Sequence, residues 1–77
     1  MNDRNKILIQ LLIVIEEYDI EIININFRNI TRIFDMVEFT FKNKHDRFII
    51  KFTYEKGNMY DVNSVGCYIK NKLEELL

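Results

Sequence analysis

Between residues 7 and 18 apolar side chains recur at a helical spacing. At about 100° per residue, Ile7, Leu8, Leu11, Leu12, Val14, Ile15 and Tyr18 share one broad face. Asp3 precedes them as an N-cap residue, so the pattern predicts a helix from there to about Tyr18. Ile9 and Ile13 fall one turn apart on the far side of that helix, among Lys6, Gln10, Glu16 and Glu17. The period then shortens to two. Ile20, Ile22, Ile23, Ile25 and Phe27 predict a strand over 20–27, with a slip between Ile22 and Ile23 that a β-bulge would absorb. Asn24 and Asn26 take its other face.

A second strand is predicted over 33–42, with Val37, Phe39 and Phe41 on one face and Met36, Glu38, Thr40 and Lys42 on the other. Residues 43–46 form a polar turn. A third strand over 47–54 turns Phe48, Ile50, Phe52 and Tyr54 inward and Ile49, Lys51 and Thr53 outward. Residues 55–58 make the next turn, and a closing helix follows, capped by Asp61 or Asn63. Val62, Val65, Ile69, Leu73, Leu76 and Leu77 are its core stripe. Gly66 lies in the same stripe, where glycine costs about 1 kcal/mol against alanine, and a close approach of this helix to the sheet would justify it. The expected fold is α+β: a single α-β-β-β-α domain over 1–77, with an antiparallel three-stranded sheet and both helices on one face.

Composition and length adjust this picture. Apolar residues make up 48% of the 77, enough for a core, so disorder is not expected. A chain this short buries only about 60–65% of its unfolded surface, which gives it a reason to recruit a staple or a partner. Its lone cysteine, Cys67, forms no internal disulfide and suits a reducing compartment. Isoleucine and asparagine abound while alanine, proline and tryptophan are absent, a usage that fits an AT-rich gene. Residues 7–15 are apolar except Gln10 and follow Arg4 and Lys6. They lack a small-residue cleavage site and are too short for the about 20 residues that span a bilayer. The expected location is the cytoplasm, with no membrane partner.

Candidate chemistry is sparse. Zinc would need His45 and Cys67 plus two carboxylates, with no CxxC or HxxxH pair, and no cofactor is expected. Ser64 and Cys67 read as lying on different sides of the last helix, and His45 sits in the hairpin turn, so no nucleophile and base come together. No glycine-rich phosphate loop is present. The chain is therefore expected not to be an enzyme. Two binding surfaces stand out. Ile9 and Ile13, with the acidic run Glu16, Glu17, Asp19 and Glu21, form a protein-contact candidate, to which a basic partner surface or a second copy of the first helix could dock. Lys42, Lys44, His45 and Arg47 cluster at the hairpin tip as a nucleic-acid candidate. The net charge of −1 argues against strong nonspecific binding to nucleic acid.

The order α-β-β-β-α resembles the double-stranded RNA-binding domain, whose last helix opens with lysines. Here the matching segment, Asp61-Val62-Asn63-Ser64, carries none, and Lys70 and Lys72 come later. In length, skewed composition, short meander and a closing helix ending Lys72-Leu73-Glu74-Glu75-Leu76-Leu77, the chain also resembles small phage proteins that block host defence, anti-CRISPR inhibitors among them. That resemblance implies a non-enzymatic inhibitor of a host protein, encoded by a virus or mobile element.

Overall fold

The computed structural model describes residues 2–77. These form α1 (Asp3–Tyr18), β1 (Glu21–Asn29), β2 (Phe34–Asn43), β3 (Asp46–Glu55) and α2 (Met59–Leu76), the predicted α-β-β-β-α order. The strands make one antiparallel meander in the order β1-β2-β3.

Each helix is capped by the asparagine that immediately precedes it. The Asn2 side chain accepts from Asn5 N–H, so Asn2 and not Asp3 caps α1, while Asp3 places its charge in the first turn against the helix dipole. The Asn58 side chain accepts from Tyr60 and Asp61 N–H. It therefore replaces the expected caps Asp61 and Asn63, and Asp61 instead accepts from Glu55 N–H. α1 ends at Asp19, which takes the left-handed conformation (φ 48°) that aspartate tolerates better than most residues.

Register explains the core. On the inner face three apolar rungs cross the sheet: Phe27–Val37–Phe52, Ile25–Phe39–Ile50 and Ile22–Phe41–Phe48. The outer face carries Asn26–Glu38–Lys51, and Arg28 reaches diagonally to Glu38 (2.8 Å). The expected strand faces therefore hold, and the bulge lies where the isoleucine pattern slips, leaving Ile23 exposed. Val37, Phe39, Phe41, Ile50, Ile69 and Leu73 are buried together with Ile7, Leu11, Val62 and Val65. Phe48 and Phe52 are only half-buried, unlike Ile50 and Tyr54 of the same strand. Phe48 stacks on Phe41, and Phe52 meets Tyr68 of α2 edge-on at 4.9 Å.

Three helix assignments change. Leu12 is exposed, since the apolar arc of α1 is wider than the groove that receives it. Leu76 and Leu77 are exposed because α2 runs past the end of the core. Gly66 does mark a close approach, but to α1 rather than to the sheet.

Candidate functional site

α1 and α2 run parallel, joined along a seam by Lys6 Nζ to Met59 Sδ (3.2 Å), Gln10 to the α2 backbone, Glu17 to Lys70 (3.3 Å) and Tyr18 Oη to Glu74 (2.7 Å). Gln10, expected on the far side, is the centre of this seam. Its Nε2 donates to the Val62 carbonyl (2.7 Å) and its Oε1 accepts from Gly66 N–H (2.8 Å). Those two groups are four residues apart, the pair that an α-helix ordinarily joins to itself, and Gln10 engages both. A Cβ on residue 66 would stand 3.0 Å from both Cβ and Oε1 of Gln10, so glycine is what admits the amide.

With the inner face of α1 spent on the core and one flank on α2, its outward face remains. Ile9 (46% exposed), Leu12 (59%) and Ile13 (56%) form one stripe there, and Glu16 continues it toward the C-terminal end. Beside Ile13 a shallow groove crosses to Gly66, Cys67 and Lys70 of α2. Of the protein-contact candidates, the structure brings Ile9, Ile13, Glu16 and Glu17 onto one helix surface and adds Leu12. Asp19 sits in the cap that follows, and Glu21 lies on β1 directly across from Lys42.

The hairpin tip lies at the same end of the domain as the C-termini of both helices, as the meander requires. Lys42, Lys44, His45 and Arg47 are all exposed there, with Lys42 and Arg47 facing each other in register. Lys44 holds φ at 58°, where a non-glycine residue stores roughly 1–2 kcal/mol. The helical layer at this end is electronegative by contrast. Neither helix has a basic residue in its last turn, and Glu16, Glu17, Asp19, Glu74 and Glu75 gather about their C-termini. Tyr18 feels this directly. Its hydrogen bond to the Glu74 carboxylate, then burial and the charges of Glu74 and Glu17, push the phenol up to about 12 from 10.0. An alkaline titration followed by tyrosine absorbance should therefore show one phenol ionising near pH 12, and Glu74→Gln should return it toward the ordinary range. The unfolded chain loses this proton first, so the bond's contribution is intact below pH 10 and is lost as pH rises through about 12. A Tyr18 titration unchanged in Glu74→Gln would refute the assignment.

The opposite end holds a feature the pattern did not signal. The last inward rung, Asn29–Asp35–Tyr54, is polar and closes the core beneath the start of α1. Asn29 Nδ2 donates to Asp35 (3.1 Å), Lys56 Nζ stands 3.6 Å from the same carboxylate, and Asp3 accepts from Gly57 N–H (2.8 Å). Tyr54 is fully buried, and its hydroxyl has no hydrogen-bond partner among the described residues. Burial first, and then the Asp35 carboxylate, raise its pKa, while the Arg4 guanidinium, near the hydroxyl but outside hydrogen-bonding geometry, works the other way. An unpaired buried hydroxyl costs about 1–3 kcal/mol, so Tyr54→Phe should raise stability by about 1 kcal/mol, or roughly 4–8 °C in melting temperature. A lower melting temperature would mean that the hydroxyl is satisfied.

Ser64 and Cys67, three residues apart, fall on one side of α2 rather than on two, bordering the same shallow surface as Met59 and Tyr60. Ser64 Oγ donates to the Asp61 carbonyl, and exposed Cys67 has Asn71 Nδ2 at 4.0 Å. His45 is at the far end of the domain. No described helix is long and apolar enough to cross a membrane. Compared with protein families, with curated proteins and with solved structures, the chain matches none of them.

Proposed function

We propose that this chain is a non-enzymatic protein-binding module that docks through the outward face of α1, of the kind a virus or mobile element uses to inhibit a host defence protein. The observation that carries the reading is the stripe Ile9, Leu12 and Ile13. Single exposed aliphatics are ordinary on any surface. Three on one stripe of a helix whose opposite face already fills the core are a second apolar face, and Glu16 gives it an acidic rim suited to a basic partner. The experiment is affinity capture from a bacterial lysate with three folded forms. Wild type and the pair His45→Ala, Cys67→Ser should capture the same protein, while Ile9→Glu with Ile13→Lys should lose it. Loss of capture with the His45 and Cys67 pair, or full retention with the isoleucine pair, would overturn the reading.

The second reading is a nucleic-acid-binding domain that uses Lys42, Lys44, His45 and Arg47, in the manner of the double-stranded RNA-binding fold. Lys44 favours it, because a turn that needs positive φ would be less strained with glycine or asparagine. Phosphate contacts make affinity fall linearly with salt on a log–log scale. Binding to duplex RNA that falls in this way and is lost in Lys42→Ala with Lys44→Ala would favour this reading over the first.

A further inference from the structure

We propose that α1 pairs with the α1 of a second copy of this chain, antiparallel, about a two-fold axis at the height of residue 11. This rests on the reading of α1 as the docking face and gives that face a second occupant, a copy of the same chain, which a host protein would displace. A two-fold interface uses the same patch twice, so the patch must complement itself. The outward face of α1 does so. Lys6, Ile9, Leu12, Ile13 and Glu16 fall within an arc of about 120°. An antiparallel copy centred on residue 11 sets Ile9 against Ile13 of the partner copy and Lys6 against its Glu16, each pair occurring twice. Lys6 and Glu16 lie about 15 Å apart along the helix, so the axis stands midway between them. It also falls near the middle of α1, which spans Asp3–Tyr18.

Charge selects this direction. Among the described residues neither Glu16 nor Lys6, whose ammonium meets the neutral Met59 sulfur at the edge of this face (3.2 Å), has an ion-pair partner, whereas the neighbouring Glu17 is engaged by Lys70. A parallel pair would set Lys6 against Lys6 and Glu16 against Glu16, which repel. The antiparallel pair converts both repulsions into attractions. The groove toward Cys67 and Lys70 adds a rim on each side. The stripe of one 16-residue helix gives less than the about 800 Å² per partner of a standard interface, so dissociation constants in the micromolar range are expected.

Sedimentation equilibrium from about 1 µM to about 500 µM reads the result. Wild type should rise toward twice the monomer mass. Ile9→Glu with Ile13→Glu should stay monomeric, since it replaces both apolar pairs with facing like charges. Lys6→Glu alone should weaken association about tenfold, since it sets two like-charged pairs face to face. Lys6→Glu combined with Glu16→Lys in the same chain should restore it to within about threefold, because only a self-pair exchanges both partners at once. Both substitutions agree with the helix dipole, so α1 stays folded, and circular dichroism checks that it does. A wild type that remains monomeric throughout overturns the proposal, as does a charge exchange that fails to rescue the single variant. The docking reading has a separate readout. If the wild type is monomeric and the isoleucine variant still loses its captured protein, self-pairing fails while the protein-binding reading stands. If the dimer forms as described and capture is indifferent to the isoleucines, the reverse holds.

Discussion

Phe39→Ala is expected to cost about 3–5 kcal/mol of folding free energy. Phe39 sits in the middle strand on the central rung, between Ile25 and Ile50, with its ring stacked on Phe41 at 5.4 Å, and is fully buried. Neighbours on every side are held by the sheet and by two helices, so the space left by the ring cannot collapse. Domains of this kind have about 5–15 kcal/mol in total, and a 77-residue one belongs at the low end. The variant should therefore unfold at a far lower urea concentration than wild type, or fail to fold at 37 °C. Phe52→Ala should lose less, because its ring is half-buried on the edge strand and faces Tyr68 from one side only. Thr53→Ala on the outer face should stay within about 0.5 kcal/mol. Equal losses for Phe39 and Phe52 would mean that the core does not centre on β2.

Alternation along β2 and β3 was enough to place Phe39, because a period of two leaves only one face to bury. The same holds for the bulge at Ile23, which two adjacent isoleucines in an alternating run announce. What the pattern cannot specify is which neighbour meets which face. Leu12 lies on the same apolar arc as Ile7 and Leu11, yet the arc is wider than the contact, and its margin is left outside. Gln10 looks like a solvated residue until α2 is brought beside it. Asn29, Asp35 and Tyr54 belong to three separate strands, and only the register assembles them into a rung. For the candidate site, Ile9 and Ile13 were legible as misfits in an amphipathic helix. The acidic run was legible too, but not its division between α1, the helix cap and β1, which depends on where the chain turns.

Gly66→Leu carries the second large effect, a net loss of roughly 2–4 kcal/mol. Added bulk at a filled contact costs about 1–3 kcal/mol. Expelling the Gln10 amide also forfeits two hydrogen bonds of about 1 kcal/mol each, and helix propensity returns about 1 kcal/mol. Already at the Cβ the new side chain would stand 3.0 Å from Gln10 Cβ, an atom fixed to the α1 backbone, so relief requires the helices to move apart. Chemical denaturation of Gly66→Leu, Gln10→Ala and the double variant tests this as a cycle. The losses should be markedly less than additive, since each substitution removes the same two bonds. A Gly66→Leu protein more stable than wild type would show that helix propensity decides at this position and that the seam is loose.

The parallel course of α1 and α2 has a mechanical consequence. The start of α1 and the end of α2 lie at opposite ends of the domain, so tension applied between them draws the helices past one another along their length. The ties from Lys6 to Met59, from Gln10 to Val62 and Gly66, and from Tyr18 to Glu74 then bear load together, in shear, instead of opening one after another. Resistance to such tension is set by the unfolding barrier rather than by overall stability. This small domain should thus hold more force when pulled end to end than when the same force separates the starts of the two helices, which lie side by side, so that the ties part in sequence from Lys6 onward.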